Sequence, residues 1–136
     1  VVEDHLQEIS ELTTQASRVA GSQPGRRKAR LMKQLEELLE EDNSLSEERI
    51  SQELALIIAR GDVREELDRL LSHVAAARDL LAQGGAIGRR LDFLCQELNR
   101  EANTLCSKSS DIDLTKLGLA LKAAIERLRE QIQNIE

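Results

Sequence analysis

Two carboxylates and one histidine are the side chains of this sequence best suited to chemistry. Glu97 and Glu101 lie four residues apart and therefore share one face of a helix. Like charges at this spacing cost an isolated helix about 0.2–0.5 kcal/mol, which Arg90 or a divalent cation held by both carboxylates would offset. His73 could move a proton near neutral pH. A lone E-x-x-x-E pair is a weak metal signal, however, and a lone helical histidine is more often solvated.

An unusual polar face surrounds these carboxylates in residues 88–106. At 100° per residue, the leucines and both cysteines fall within an arc of about 120°, which is an ordinary core stripe. The remaining arc carries arginine, asparagine, glutamine and threonine around Phe93, the only aromatic residue of the chain. Such a face either fixes the register of a neighbouring helix or contacts a ligand, and Phe93 either packs or offers a ring for a base to stack on. Spacing alone favours the interface.

Composition indicates a helical protein. The 136 residues include one Pro, one Phe, no Tyr and no Trp, which disfavours a sheet-built core. A net charge of −6 argues against nonspecific nucleic-acid binding, and we expect no DNA partner. Cys95 and Cys106 lie too far apart on one helix for a disulfide and resemble small buried residues of a reducing compartment. Since no signal peptide or membrane-spanning run is visible, we expect a cytoplasmic protein with no membrane partner.

Apolar periodicity predicts the helices that must position these side chains. Helices are expected over residues 1–20, 26–42, 47–60, 62–83 and 88–106 and from residue 114 to the end of the chain. Asp62 with Glu65 has the spacing of a helix start, and "GG" at 84–85 is a plausible stop. We therefore predict an all-α fold in which long antiparallel helices form a hairpin or bundle. Residues 1–47 would form a helical linker with an extended, coiled-coil-like arm, and residues 48–136 a helical domain.

Three stretches of the sequence resemble one known protein family. The stretches "GDVREELDRLLSHVAAARDLL", "GGAIGRRLDFLCQELNREANTLCSKS" and "LREQIQNIE" closely resemble the C-terminal part of the YicC family of bacterial endoribonucleases. The likeness covers about residues 48–136, whereas residues 1–47 resemble the family's variable helical middle only in general character. The family's N-terminal, β-containing domain is absent from this chain. The resemblance thus implies the C-terminal fragment of a longer protein, which we expect to be inactive by itself.

The resemblance also implies RNA cleavage that depends on Mn²⁺ or Mg²⁺, within a ring-like homo-oligomer that we expect to be a hexamer. Phosphodiester cleavage needs a base or metal-bound hydroxide, positive charge for the transition state, and an acid for the leaving oxygen. We expect metal binding by Glu97 and Glu101, and catalytic roles for these two residues together with Arg100 and His73. The residues expected to bind RNA are Arg89, Arg90, Phe93, Gln96, Asn99, Asn103 and Lys108.

A second hypothesis assigns no chemistry to the chain. In this alternative the chain is a helical assembly or adaptor module, and its polar helix face is a subunit interface. The acidic net charge fits this hypothesis directly. It fits the nuclease hypothesis only if RNA meets a local basic lining.

Overall fold

The computed structural model describes residues 1–22, 29, 31–37, 47–60, 62–109 and 111–135. Within these residues the only regular secondary structure is helix, which confirms the predicted all-α fold. None of the described helices combines the length and the apolar character needed to cross a membrane. The helices are α1 (Val2–Ser22), α2 (residues 31–37), α3 (Glu47–Arg60), α4 (Arg64–Gln83), α5 (Gly88–Lys108) and α6 (Ile112–Ile135). The rest of the helix predicted over 26–42 lies outside the described residues, apart from helical residue 29.

Four of these helices pack in a cycle: α5 lies against α4 and α6, and α1 closes the cycle against the same two helices. Short connections make α4, α5 and α6 successive antiparallel neighbours. Arg78, late in α4, donates to Glu3 at 2.8 Å, and Arg127, late in α6, donates to Glu8 at 2.6 Å. Because α1 begins beside the later parts of its neighbours, it runs antiparallel to both. The result is an up-and-down four-helix bundle.

The N-terminal helix differs from its predicted form as an extended arm. Its apolar seam is part of the same buried core as the other three helices, and Leu6 and Ile9 are fully buried. The seam that the sequence showed is real, but it is covered by α4 and α6 of the same chain. The periodicity of a sequence shows that a helix has an apolar stripe but does not show which surface covers it. The prediction of an extended arm was therefore wrong about the packing partner of α1, whereas the prediction that α1 is a helix was correct.

The turn between α4 and α5 confirms the predicted glycine stop. Gly84 and Gly85 have φ angles of +70° and +80°, in the left-handed region that glycine enters without steric cost. The Gly84 N–H donates to the Leu80 carbonyl at 3.1 Å, which satisfies an acceptor at the end of α4. This compact turn fixes the register in which α4 and α5 face each other.

The start of α4 follows the prediction only in part. Val63 holds the N-cap position and makes no side-chain capping bond. Asp62 precedes it, and its Oδ1 accepts the Arg64 backbone N–H at 3.0 Å in an Asx-turn that leads into the helix. The Arg64 side chain also donates to Asp62 and lowers the pKa of that carboxyl. Glu65 does not return to the helix start, because its carboxylate pairs with Arg69 at 2.7 Å. The capping pair of Asp62 and Glu65 that the spacing suggested is therefore wrong, and Asp62 supports the first turn from just before the helix.

Candidate metal centre and adjoining groove

Three potential metal ligands meet across the α4–α5 hairpin. His73 on α4 faces Glu97 and Glu101 on α5, and one donor atom from each residue lies within 4.8 Å of the other two. No other group of this kind occurs among the described residues. The spacing of Glu97 and Glu101 was visible in the sequence. The approach of His73 depends on the register that the Gly84–Gly85 turn sets.

The two glutamates of this cluster have different surroundings. Glu101 is 6% exposed, and its Oε1 lies 2.9 Å from Nε of Arg69. That N–H bond is not aligned on a carboxylate oxygen, so the contact is an ion pair and not a well-formed hydrogen bond. The Glu101 carboxylate raises the pKa of Arg69, which therefore stays charged. Arg69 thus supplies the countercharge that a buried carboxylate requires.

A second buried carboxylate continues this row of charges. Glu66 is 1% exposed, and its Oε1 accepts a 2.6 Å hydrogen bond from Nζ of Lys108. Lys108 also donates to the carbonyl of Asp62 at 3.4 Å. Arg69 Nη2 lies 3.8 Å from Glu66 Oε1 and so connects the two carboxylates. Lys108, which we expected to meet RNA, is placed here to hold the α5 end against the α4 start.

The donor set of the cluster is suited to a divalent cation. Ligand atoms lie about 2.0–2.2 Å from such ions, so opposite ligands of one ion are about 4.2 Å apart. Donor atoms within 4.8 Å of one another therefore reach this geometry with small side-chain rotations. Two carboxylates and one imidazole form a set that Mn²⁺ accepts more readily than Mg²⁺, which prefers oxygen ligands alone. Arg69 contacts Oε1 of Glu101, and a carboxylate has a second oxygen that can coordinate a cation.

An open groove of about 480 Å³ adjoins the cluster towards the Gly84–Gly85 turn. Its position follows from the helices, because Phe93 lies one turn before Glu97 and Ala76 lies one turn after His73. Phe93 is 59% exposed, so the predicted outward position of this ring is observed. Three of the residues expected to bind RNA are thus placed together. The lining comprises Ala76, Asp79, Leu80 and Gln83 of α4 and Arg89, Arg90, Phe93 and Leu94 of α5.

The remaining predicted residues lie elsewhere on α5. Gln96 donates to Asp92 at 3.2 Å, and Asp92 lies 3.6 Å from Arg129 of α6. Asn99 and Asn103 are exposed and fall on the Asp92 side of the helix. Arg100 is also exposed, on the outer surface between the two edges of α5. The predicted polar face is therefore divided into an α4 edge with the metal cluster and an α6 edge with the amides.

Sequence reasoning missed the structural importance of Arg69 and Glu66. Both were visible only as neighbours of His73 on its own helix, one and two turns away. Their roles depend on Glu101 and Lys108, which lie 32 and 42 residues further along the chain. Only the predicted α4–α5 hairpin could have indicated these contacts. In an antiparallel hairpin that turns at Gly84 and Gly85, the first residues of α4 lie beside the last residues of α5.

The cysteines take the expected structural positions. Both thiols are free; Cys95 is buried and Cys106 is half-buried. Burial raises the pKa of Cys95 to about 11 and also raises the pKa of Cys106. Thiols that remain protonated at neutral pH are poor nucleophiles. The Cys106 sulfur packs closely on α6, where a Cβ added at Gly118 would lie 2.6 Å from it.

Comparison with known proteins supplies a family for this arrangement. Residues 16–136 match the family described as "Endoribonuclease YicC-like, C-terminal". The chain is 54% identical over 93 residues to a protein of Haemophilus influenzae named "Probable endoribonuclease YicC", and the match covers 68% of this chain and 32% of that protein. It is 43% identical over 102 residues to a protein of the same name from Clostridioides difficile, covering 75% of this chain and 35% of the relative. The chain thus spans about a third of the length of these relatives.

Proposed function

Since this chain belongs to the family of YicC-like endoribonuclease C-terminal domains, we propose that it carries the metal-binding part of an RNA-cleaving site. The observation that supports this proposal most strongly is the meeting of His73, Glu97 and Glu101 within 4.8 Å across the α4–α5 hairpin. These three residues would hold Mn²⁺ or Mg²⁺, with Mn²⁺ favoured by the imidazole. A divalent cation there would polarise the phosphate and lower the pKa of a bound water.

The protein's own residues would prepare this site in two ways. Arg69 lies 2.9 Å from Oε1 of Glu101 and supplies positive charge beside this buried carboxylate before a cation enters. Glu97, which is half-buried, keeps contact with solvent and can accept a proton or serve as a ligand. Arg89 and Arg90 lie exposed near the cluster and would attract the phosphates of the strand. Arg100, more distant on the same helix, would contribute to the positive field.

We extend the proposal to the assembly. The exposed amides of Asn99 and Asn103 lie on the α6 edge of α5, away from the metal cluster. In a ring-like homo-oligomer, which we propose to be a hexamer, these amides would contact RNA held by a neighbouring copy or the neighbouring copy itself. Such an assembly would surround the strand with the basic residues of several chains and would leave the acidic residues outside. The overall charge of −6 is compatible with RNA binding on that condition.

The test is a cleavage time course on a labelled RNA oligonucleotide with the full-length protein in Mn²⁺, Mg²⁺ or EDTA. Glu97→Gln and Glu101→Gln should abolish cutting and should weaken Mn²⁺ binding measured by calorimetry without RNA. Glu130→Gln is the matched control, because this exposed glutamate lies on α6 outside the cluster. Cutting that persists in both cluster variants, or in EDTA, would contradict the proposal.

One observation favours the alternative of a non-catalytic assembly module. Arg69 already neutralises Glu101, and Lys108 already neutralises Glu66, so the buried carboxylates have structural partners without a metal. In this alternative, Phe93→Ala and Arg100→Ala would change the mass measured by sedimentation, and the assembled wild-type protein would leave RNA intact. Lost cutting at unchanged mass would instead indicate a site.

A further inference from the structure

We propose that the groove between α4 and α5 binds one unpaired nucleobase of the RNA, stacked on Phe93, with the neighbouring phosphate at Arg89 and Arg90. This inference rests on the proposed RNA-cleaving function and deepens it by naming the substrate class. The substrate would be a strand that presents an unpaired nucleotide beside the bond to be cut. A continuous duplex would not fit, because its bases are stacked inside the helix and inaccessible to a side chain.

The exposed ring of Phe93 is the first observation behind this inference. It is 59% exposed and lies opposite the leucine stripe of α5, so the bundle core does not use it. The groove beside it is formed by the small or apolar side chains of Ala76, Leu80 and Leu94. An apolar groove beside an exposed aromatic ring suits a nucleobase, because every base has a π-face that can stack on such a ring.

Charge complementarity is the second observation. Arg89 and Arg90 both line the groove, both are exposed, and neither has an ion-pair partner in the part of the chain that the structure describes. Arg69, Arg78 and Arg127, by contrast, all pair with carboxylates. Two unpaired guanidinium groups beside an apolar slot suit a ligand that is flat and apolar at one end and anionic at the other.

The opposite wall of the groove distinguishes the two ends of such a ligand. Asp79 and Gln83 line it from α4. The Asp79 carboxylate repels a phosphate and accepts hydrogen bonds from the amino and imino edge of a base. Gln83 can donate to or accept from the same edge. The base is therefore directed towards α4 and its phosphate towards Arg89 and Arg90.

The position of the groove relates the base to the reaction. Phe93 precedes Glu97 by four residues, a rise of about 6 Å along α5. A nucleotide stacked on Phe93 would thus leave the next phosphate of the strand near His73, Glu97 and Glu101. The groove would select the nucleotide, and the cluster would act on the bond that follows it.

The test uses a short single-stranded RNA that carries one 2-aminopurine, whose fluorescence is quenched when the base stacks. The full-length protein is titrated in EDTA, so that binding is measured without cleavage. Wild type should quench the fluorescence. Phe93→Ala should abolish the quenching and weaken binding by about 5- to 150-fold, the range reported by truncating an aromatic ring that stacks on a base. Leu119→Ala is the matched control, since it removes a 55% exposed side chain from α6, and it should behave as wild type.

Equal quenching by wild type and Phe93→Ala would overturn the nucleobase site, as would equal affinity for the single strand and for the same sequence in a duplex. An RNA with an abasic position in place of the 2-aminopurine should bind wild type and Phe93→Ala with equal affinity, because it offers no base to stack on the ring. RNA that is bound and quenched but never cut in Mn²⁺ would refute the proposed cleavage and leave the nucleobase site standing. Metal-dependent cutting that is unchanged in Phe93→Ala would support the proposed cleavage and refute the nucleobase site.

Discussion

Replacing Arg69 by methionine should destabilise the bundle because it leaves the buried Glu101 carboxylate without a countercharge. Removal of one partner from a fully buried ion pair costs about 3–5 kcal/mol. Arg69 is 43% exposed while Glu101 is 8% exposed at the side chain, so solvent screens part of this interaction. Glu66 also keeps its 2.6 Å bond to Lys108. We therefore expect a loss of about 1–3 kcal/mol in the free energy of unfolding, or a fall in Tm of about 4–10 °C.

Thermal and urea unfolding followed by circular dichroism would measure this loss. Arg127→Met is the matched control, because Arg127 pairs at 2.6 Å with Glu8, whose side chain is 42% exposed, and it should cost only about 0–1 kcal/mol. Adding Glu101→Gln to Arg69→Met should recover most of the stability, since a neutral amide needs no countercharge. Equal losses from Arg69→Met and Arg127→Met would refute the claim that burial makes the Glu101 charge expensive.

Three further predictions concern the frame around the site. Gly118→Ala should cost about 1–3 kcal/mol, because its Cβ would lie 2.6 Å from Cys106 Sγ, and the double variant with Cys106→Ala should recover this loss in the same unfolding assay. Asp62→Ala should cost about 0.5–1 kcal/mol at pH 7, because it removes the Asx-turn bond to the Arg64 backbone N–H and an exposed ion pair with the Arg64 side chain. Folding lowers the pKa of Asp62 below its ordinary value of 3.8. The stability that Asp62 contributes is therefore complete above pH 3.8 and is lost as the pH falls through the lower pKa of the folded state. The stabilities of the variant and the wild type should therefore converge in acid. Labelling with a thiol reagent at pH 8 should modify Cys106 before Cys95, whose pKa of about 11 and burial keep it protonated and covered; faster labelling of Cys95 would contradict this order.

The helices could be predicted because their determinants are local. These determinants act within a few residues of their own positions: the apolar period of α4, α5 and α6, the glycines at 84–85 and the Asx-turn at Asp62 before α4. The partner of α1 was not predictable in the same way. Its seam of Val2, Leu6 and Ile9 has the same pattern whether α4 and α6 or a second chain covers it.

The candidate site was predictable where one helix carries it and unpredictable where two helices meet. The i,i+4 relation of Glu97 and Glu101 follows from the pitch of α5. The burial of Glu101 does not, because helical projection places it only at the edge of the polar arc and α4 decides whether water reaches it. The approach of His73 and the pairing of Lys108 with Glu66 depend on hairpin register, which is a property of the assembled pair.

The contacts of the bundle differ in how far apart along the chain their two residues lie. The bond from Lys108 to Glu66 joins residues 42 positions apart, and the two helices it links are consecutive. The bond from Arg127 to Glu8, which docks α1, joins residues 119 positions apart. Because nearby segments meet with a smaller loss of chain entropy, the hairpin can assemble before α1 arrives. The residues of the metal cluster and the groove therefore lie in a more local part of the fold than the contacts that dock α1.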